Sequence, residues 1–329
     1  MNSAKSKKHW VIKMLRVGVV GVGMMGQHHV RVYSELAKEG RVELVGIADI
    51  NFERAKEIAR RFNTTPYPDY KELAKESLDA VSIVVPTSLH RQVALEFIDR
   101  GINVLVEKPI ADSIENAEAI IKAAEESDVI LMVGHIERFN PAVLKLKELI
   151  ERGELGKLVT ISAKRVGPMA ARIRDVGIII DLGVHDIDVI SYLFGEPVRT
   201  VYARAGNVVH PAGVEDHALI TLGFEDGSGI VETNWLTPHK TRTLTVVGTG
   251  GIAYMDYIEQ RLKLFNDEWV KEAKINKREP LRNELEHFIE CVEKKKTPLI
   301  DGYAGLHALK VGLLAQESAR TGRVMEVKE

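Results

Sequence analysis

Cysteine is almost absent from this chain: Cys291 stands alone among 329 residues. An intrachain disulfide and a cysteine-cluster metal site are therefore excluded, and this usage agrees with a reducing cytoplasm, the expected compartment. An excess of charge of either sign is also missing. The 45 Lys and Arg against 47 Asp and Glu leave a formal net charge of -2, which supplies no general reason to bind nucleic acid or an anionic membrane. No uninterrupted run of about 18 apolar residues occurs, so no membrane span is expected. Internal repeats and biased tracts are lacking as well. Lys5, Lys7 and Lys8 resemble the basic start of a signal peptide, but Lys13, Arg16 and several glycines interrupt the apolar stretch after them, so residues 1–13 read as a flexible tail.

What is present is a globular composition, 45% hydrophobic and 28% charged, on a chain long enough for two domains. From Leu15 onward, strand patterns over 15–20, 42–48, 80–85, 104–107 and 130–133 alternate with helical patterns over 25–38, 52–62, 90–100 and 113–126. Strand, helix, strand at this spacing predicts an α/β fold with a parallel sheet covered on both faces. The alternation stops near Gly134. Asn140-Pro141 then caps and opens a helix to Arg152. Strand patterns over 158–166, 200–204, 217–224, 229–235, 241–247 and 251–256 come next, several alternating polar with apolar as in a mixed or antiparallel sheet with one wet face. Helical pattern returns over 281–294 and 303–320. The expected division is a first domain over 14–134 and a second over 135–329.

Gly21-Val22-Gly23-Met24-Met25-Gly26 follows the first strand and opens the first helix, and Asp49 ends the next strand. This context makes the glycines a dinucleotide loop of the Rossmann type rather than an ordinary turn. Gly21 permits the tight turn, Gly23 lets the backbone approach a pyrophosphate, and Gly26 lets helix and strand pack closely. The helix start at Met24 and Met25 turns unpaired N–H groups toward the phosphates. Asp49 is placed to accept hydrogen bonds from the adenosine ribose and to repel a 2'-phosphate; no basic residue follows it directly in Ile50-Asn51-Phe52-Glu53, so NAD is favoured over NADP. Pro86, Thr87 and His90 leave the next strand where they could line the nicotinamide half, although Thr87 or Ser88 reads equally as a helix cap.

Glu107-Lys108-Pro109 brings a lysine out at the same sheet edge. Downstream, Asp181 and His185 share one side of a helical turn through their i, i+4 spacing. An imidazole titrating near neutrality suits removal of a hydroxyl proton, with a carboxylate or ammonium setting its orientation. The same pair also reads as a capping aspartate and a core-edge histidine. Asp181, His185 and Asp188 offer N/O ligands, but no second histidine stands at helical ligand spacing, so no metal is expected.

Taken together, Gly21 to Gly26, Thr87 to His90, Glu107-Lys108-Pro109, Gly134 to Pro141 and Asp181 to Asp188 resemble the Gfo/Idh/MocA family of glucose-fructose oxidoreductases and inositol dehydrogenases. The resemblance covers the chain from about Leu15. It implies an N-terminal Rossmann domain, a C-terminal α/β domain whose large open mixed sheet serves oligomer contacts as a dimer or tetramer, and NAD(P)-dependent oxidation or reduction of a sugar-like polyol. It also implies that Lys108 binds the reacting hydroxyl close to the nicotinamide ribose, with Glu107 beside the cofactor, that His185 is the acid/base, and that Asp181 positions substrate and lysine.

Substrate choice is less sharply written. Lys164, Arg165, Arg172 and Arg174 fall in one stretch without an acid, immediately before the Asp181 helix. Such a cluster either grips an anion such as a diphosphate or is a solvated basic loop. Arg138, Arg165, Arg172 and Arg174 are the candidate substrate-binding residues. The resemblance is closest to the branch acting on nucleotide-linked amino sugars, and implies oxidation at the 3-hydroxyl of UDP-N-acetylglucosamine. A dehydrogenase of a free polyol such as myo-inositol and a non-catalytic NAD and sugar sensor are the alternatives.

Overall fold

Uninterrupted apolar runs become central parallel strands here, because only a sheet covered on both faces can bury every residue of such a run. The computed structural model describes residues 14–169 and 176–328. The 1–13 tail, Arg172 and Arg174 lie outside the described residues. The first domain runs β1 (Leu15–Val20), α1 (Met24–Lys38), β2 (Val42–Ala48), α2 (Phe52–Phe62), β3 (Thr65–Tyr67), α3 (Tyr70–Leu73), β4 (Ala80–Ile83), α4 (His90–Ile98), β5 (Asn103–Glu107), α5 (Ile114–Glu126) and β6 (Leu131–Gly134). Its six strands pair in the order β3-β2-β1-β4-β5-β6, all parallel. The order reverses between β1 and β4. Open parallel sheets leave a crevice outside the carboxyl ends of their strands at such a point, and the glycine loop, Thr87 and Lys108 all leave strands on that edge.

The second unit begins with α6 (Pro141–Glu151), whose Asn140 side chain accepts from the Ala142 N–H with Pro141 in the first turn. It continues through β7 (Leu158–Pro168), α7 (Val184–Phe194), β8 (Thr200–Gly206), β9 (His217–Gly223), β10 (Ser228–Asn234), β11 (Leu236–Gly248), β12 (Gly251–Asp256), β13 (Arg261–Phe265), β14 (Val270–Glu272), α8 (Pro280–Lys294), α9 (Gly302–Thr321) and β15 (Met325–Glu326). Nine strands form one mixed sheet, ordered β14-β13-β12-β11-β7-β10-β9-β8-β15, in which β7 and β10 run parallel and the other neighbours antiparallel.

Period-two patterning sorts this sheet into two faces. Ala163, Ile220, Val231, Leu244 and Ala253 are buried under the helices, whereas Leu219, Val247 and Tyr254 lie exposed on the opposite face. The chain then returns: Leu281, Leu285, Phe288 and Ile289 of α8 bury into the first domain's core, while α9 contributes Leu309 to that core and Val311 and Ala315 to the second. These two helices clamp the halves, fixing the cleft between them. No helix among the described residues is long and apolar enough to cross a membrane.

Candidate active site

The glycine loop owes its shape to steric demands that only glycine meets at two of its positions. Gly21 has φ +84°, and a Cβ there would lie 2.4 Å from the Val84 carbonyl oxygen; a Cβ on Gly26 would lie 1.9 Å from the Gly21 carbonyl oxygen. Gly23 differs, since a Cβ there meets nothing within 4 Å. It faces open space at the start of α1, whose N-cap has no side-chain partner. Unspent N–H groups beside open space fit a dinucleotide pyrophosphate. Asp49 braces the loop: one carboxylate oxygen accepts from the Val22 N–H at 2.8 Å and the other from the Asn51 N–H at 2.8 Å. Arg54 folds back onto the same carboxylate at 2.8 Å, so a basic residue does reach Asp49, from just beyond the Ile50–Glu53 segment that carries none.

Pro86 and Thr87 leave β4 at the crevice, with Thr87 half-buried and Ser88 exposed. Neither Thr87 nor Ser88 caps α4, which begins without a side-chain cap. His90 differs from the expectation that it lines the nicotinamide half. It is 1% exposed, and its ring nitrogens lie 3.0 Å from the Pro109 carbonyl oxygen and 3.0 Å from the Val85 carbonyl oxygen. The imidazole ties the end of β4 to the bend after β5, where Lys108-Pro109 is a cis peptide.

At that bend Lys108 leaves the parallel sheet and crosses to the second unit. Its Nζ donates to the Asp181 backbone carbonyl and lies 3.6 Å from Asp181 Oδ1. Asp181 belongs to a π-helical turn, Ile179–Gly183, that widens the chain just before α7. Such turns re-aim side chains at functional sites. His185 follows in the first turn of α7. Burial first, and then the nearby positive charges of Lys108, Arg165, His135 and Arg242, hold its imidazole well below the ordinary value. Asp181 Oδ2 and His185 Nδ1 are buried atoms without a hydrogen-bond partner among the described residues. Buried polar atoms are rarely left unpaired, and these two belong to the groups assigned to substrate.

Two ion-pair clusters hold α7 in place, and they consume the expected substrate-binding residues Arg165 and Arg138. Arg165, 2% exposed, clasps Asp186 through two nitrogens at 2.7 and 3.0 Å and reaches Glu137 at 2.8 Å. Arg138 clasps Asp188 at 2.7 and 2.8 Å and donates to the Leu299 carbonyl oxygen. Their planar forks are spent on α7. The sequence places a cationic run before an acidic helix without saying whether those cations meet each other's acids or a ligand. Asp188, an N/O ligand candidate by its spacing, is likewise committed to Arg138.

Arg242 on β11 carries no sequence signal, because one arginine in an alternating strand forms no motif. It pairs in register with Arg165, stays about one third exposed, and among the described residues makes a single ion pair of 3.6 Å, to Glu137. Burial and the adjacent Arg165 lower its pKa. It is therefore a cation near the cleft with most of its donors uncommitted among the described residues.

Comparison with known proteins agrees with this geometry. An oxidoreductase family model, the NAD-binding Rossmann domain of Gfo/Idh/MocA proteins, matches residues 15–135, and the Gfo/Idh/MocA C-terminal domain matches residues 143–254. The chain is 30% identical over 314 residues to UDP-N-acetylglucosamine 3-dehydrogenase of Acidithiobacillus ferrooxidans, covering 91% of this chain and 95% of that one. It is 29% identical over 332 residues to scyllo-inositol 2-dehydrogenase (NAD(+)) of Bacillus subtilis, covering 95% and 96%. A solved structure of the Acidithiobacillus ferrooxidans enzyme superposes with a TM-score of 0.85 at 29% identity, over 93% of this chain and 97% of that chain. The chain belongs to the Gfo/Idh/MocA family and is an NAD(P)-dependent dehydrogenase acting on CH–OH groups.

Proposed function

We propose that this protein oxidises a secondary hydroxyl of a nucleotide-linked amino sugar to a ketone, with NAD as oxidant and the 3-hydroxyl of UDP-N-acetylglucosamine as the preferred target. The observation that carries the reading is the meeting of Lys108 and Asp181 across the cleft, with Asp181 Oδ2 and His185 Nδ1 left unpaired beside it. In this reading a sugar hydroxyl satisfies those atoms. The Lys108 ammonium donates to the reacting oxygen and favours its negative charge as it loses its proton. His185, kept neutral by burial and neighbouring cations, accepts that proton. Asp181 holds the lysine in place and accepts from a second hydroxyl. NAD, held by Gly21 to Gly26 and Asp49, supplies the hydride acceptor.

Asp49 favours NAD, because a 2'-phosphate would bring further negative charge against its carboxylate. Arg242 supports an anionic substrate tail, with the Acidithiobacillus ferrooxidans relative acting on a nucleotide sugar. The exposed Leu219, Val247 and Tyr254 on one sheet face suit contact with further copies of the chain as a dimer or tetramer, and the lone Cys291 suits a cytoplasmic site. The scyllo-inositol dehydrogenase relative, matched over 95% of the chain, favours a second reading in which the substrate is a free polyol.

The test is NADH formation with saturating NAD over UDP-N-acetylglucosamine, myo-inositol and scyllo-inositol, repeated with Lys108→Ala and Arg242→Met. Turnover of the nucleotide sugar, lost in Lys108→Ala and with KM raised about tenfold in Arg242→Met, is the expected outcome. Turnover of the inositols alone, indifferent to Arg242, would replace it with the second reading.

A further inference from the structure

Next to Lys108, three titratable side chains from three separate elements converge in the interior. One oxygen each of Glu107 and Glu284 and one ring nitrogen of His29 lie within 4.8 Å of one another. Glu107 is committed: its Oε1 meets His29 Nε2 at 3.1 Å and its Oε2 accepts the Lys108 backbone N–H at 3.0 Å. Glu284, on α8, is 0% exposed, and among the described residues neither of its oxygens has a hydrogen-bond partner. Burying an unpaired carboxylate beside another carboxylate is too costly to persist. Something must neutralise it.

A proton or a cation would do so. The proton fits better, because a metal ion held by His29 Nε2 would have to break the bond from that nitrogen to Glu107 Oε1, whereas each Glu107 oxygen, accepting one hydrogen bond, keeps a lone pair for a further donor. We propose that Glu284 is a positioning residue for Lys108: a neutral carboxylic acid that gives its hydrogen to Glu107, directly or through one water, and so keeps Glu107 turned to the Lys108 backbone. Burial, and then the charge of Glu107, raise the Glu284 pKa well above the ordinary carboxylate value. Burial also opposes ionisation of Glu107, but His29 and Lys108 outweigh it and keep that carboxyl below its usual range. Two carboxyls with opposed shifts mark a pair that shares one proton.

The other groups around the pair do not supply the missing partner. Tyr33 on α1 bonds to Ser82 at 3.0 Å, and His90 is spent on two carbonyls. His135, at the end of β6, has both ring nitrogens without a hydrogen-bond partner and Asp188 3.9 Å away. Glu137 and Arg138, on the turn packed against α8, are committed to Arg165 and Asp188. Helix α8 thus reaches back from the second half of the chain to the support of the reacting lysine. The role assigned to Glu284 rests on Lys108 being the group that holds the reacting hydroxyl, which Lys108→Ala tests by itself.

Glu284→Gln keeps a neutral donor of the same shape, whereas Glu284→Leu removes the donor. With whichever sugar supports turnover, Glu284→Gln should stay within about threefold of the parent kcat and keep its pH profile, and Glu284→Leu should lose about tenfold or more in kcat with KM for NAD changed by less than about twofold, as expected for one lost buried hydrogen bond. Independently of any substrate, the infrared difference between the parent protein and Glu284→Gln should contain the carbonyl stretch of a protonated carboxyl group. Equal loss in both variants, full activity in Glu284→Leu, absence of that band, or a stoichiometric metal ion by elemental analysis would each overturn the proposal. If Glu284→Leu does not fold, the band and the Glu284→Gln pH profile still decide.

Discussion

Lys108 Nζ sits 3.6 Å from Asp181 Oδ1 and donates to the carbonyl of the same residue, 73 positions further along the chain. One side chain thus ties the carboxyl edge of the parallel sheet to the π-helical turn that introduces α7. The contact makes the cleft a joint product of both halves, since neither supplies the ammonium and the carboxylate together. It also leaves Asp181 Oδ2 unpaired among the described residues, as the proposed contact with a sugar hydroxyl needs.

His185→Gln should lower kcat by about 10²- to 10⁴-fold, the usual contribution of a positioned proton acceptor, while NAD binding followed by fluorescence stays close to the parent value. In the parent enzyme the imidazole accepts a proton only while neutral. Its pKa is held well below 6.5 by burial and neighbouring cations, so the acid limb of kcat/KM should have its midpoint below 6.5, with activity rising as pH rises through it. A midpoint at or above 6.5 would exclude His185 as the proton acceptor.

The glycine loop gives a paired prediction. Gly26→Ala puts a Cβ 1.9 Å from a backbone oxygen that cannot move aside, so it should cost about 1–3 kcal/mol of stability as overpacking and abolish NAD binding. Gly23→Ala meets nothing within 4 Å; melting temperature should not change, yet NAD affinity should fall because the methyl enters the space reserved for pyrophosphate. Equal NAD affinity in Gly23→Ala and the parent would show that the pyrophosphate lies elsewhere.

The loop, β1, β2 and α2 were legible because their signals are local: apolar runs, a glycine motif and helix periodicity each state their own conformation. The i, i+4 spacing of Asp181 and His185 stands in the sequence, although the widened turn that carries Asp181 does not, since no residue type marks a π turn. Arg165 and Arg138 show where local reading stops. A guanidinium with an acid about 20 or 50 positions away has no sequence mark to distinguish it from one awaiting a ligand. Strand β3 is three residues with a proline, too short for any period to register. The return of α8 to the first core was hidden for a related reason: amphipathic pattern names the buried face but not the surface that buries it.

The Arg165 cluster leads to a stability prediction. Arg165→Met keeps the length and apolar stem of the side chain but strands Asp186 without its cation and leaves Glu137 only its 3.6 Å pair with Arg242, and Tyr257 Oη, 3.4 Å from Asp186, cannot replace the guanidinium. Removing one partner of a buried pair costs about 3–5 kcal/mol, so urea denaturation should show a loss of that order. Activity at low temperature should fall as well, because Asp186 anchors the helix carrying His185. A variant as stable as the parent would mean that α7 is held by packing alone.

Asp49 gives the cofactor prediction. Its carboxylate accepts the Val22 and Asn51 N–H groups and pairs with Arg54, so it shapes the loop and holds a cation in check at the position where the adenosine ribose is expected. Asp49→Ser removes the charge that repels a 2'-phosphate and frees Arg54 to meet one, while a hydroxyl remains to accept one backbone N–H. The ratio of kcat/KM for NADP over NAD should therefore rise by at least about tenfold, equivalent to about 1.4 kcal/mol, mainly through KM for NADP. If Asp49→Ser weakens both cofactors equally, the carboxylate serves only to brace the loop, and preference for NAD must originate elsewhere in the crevice.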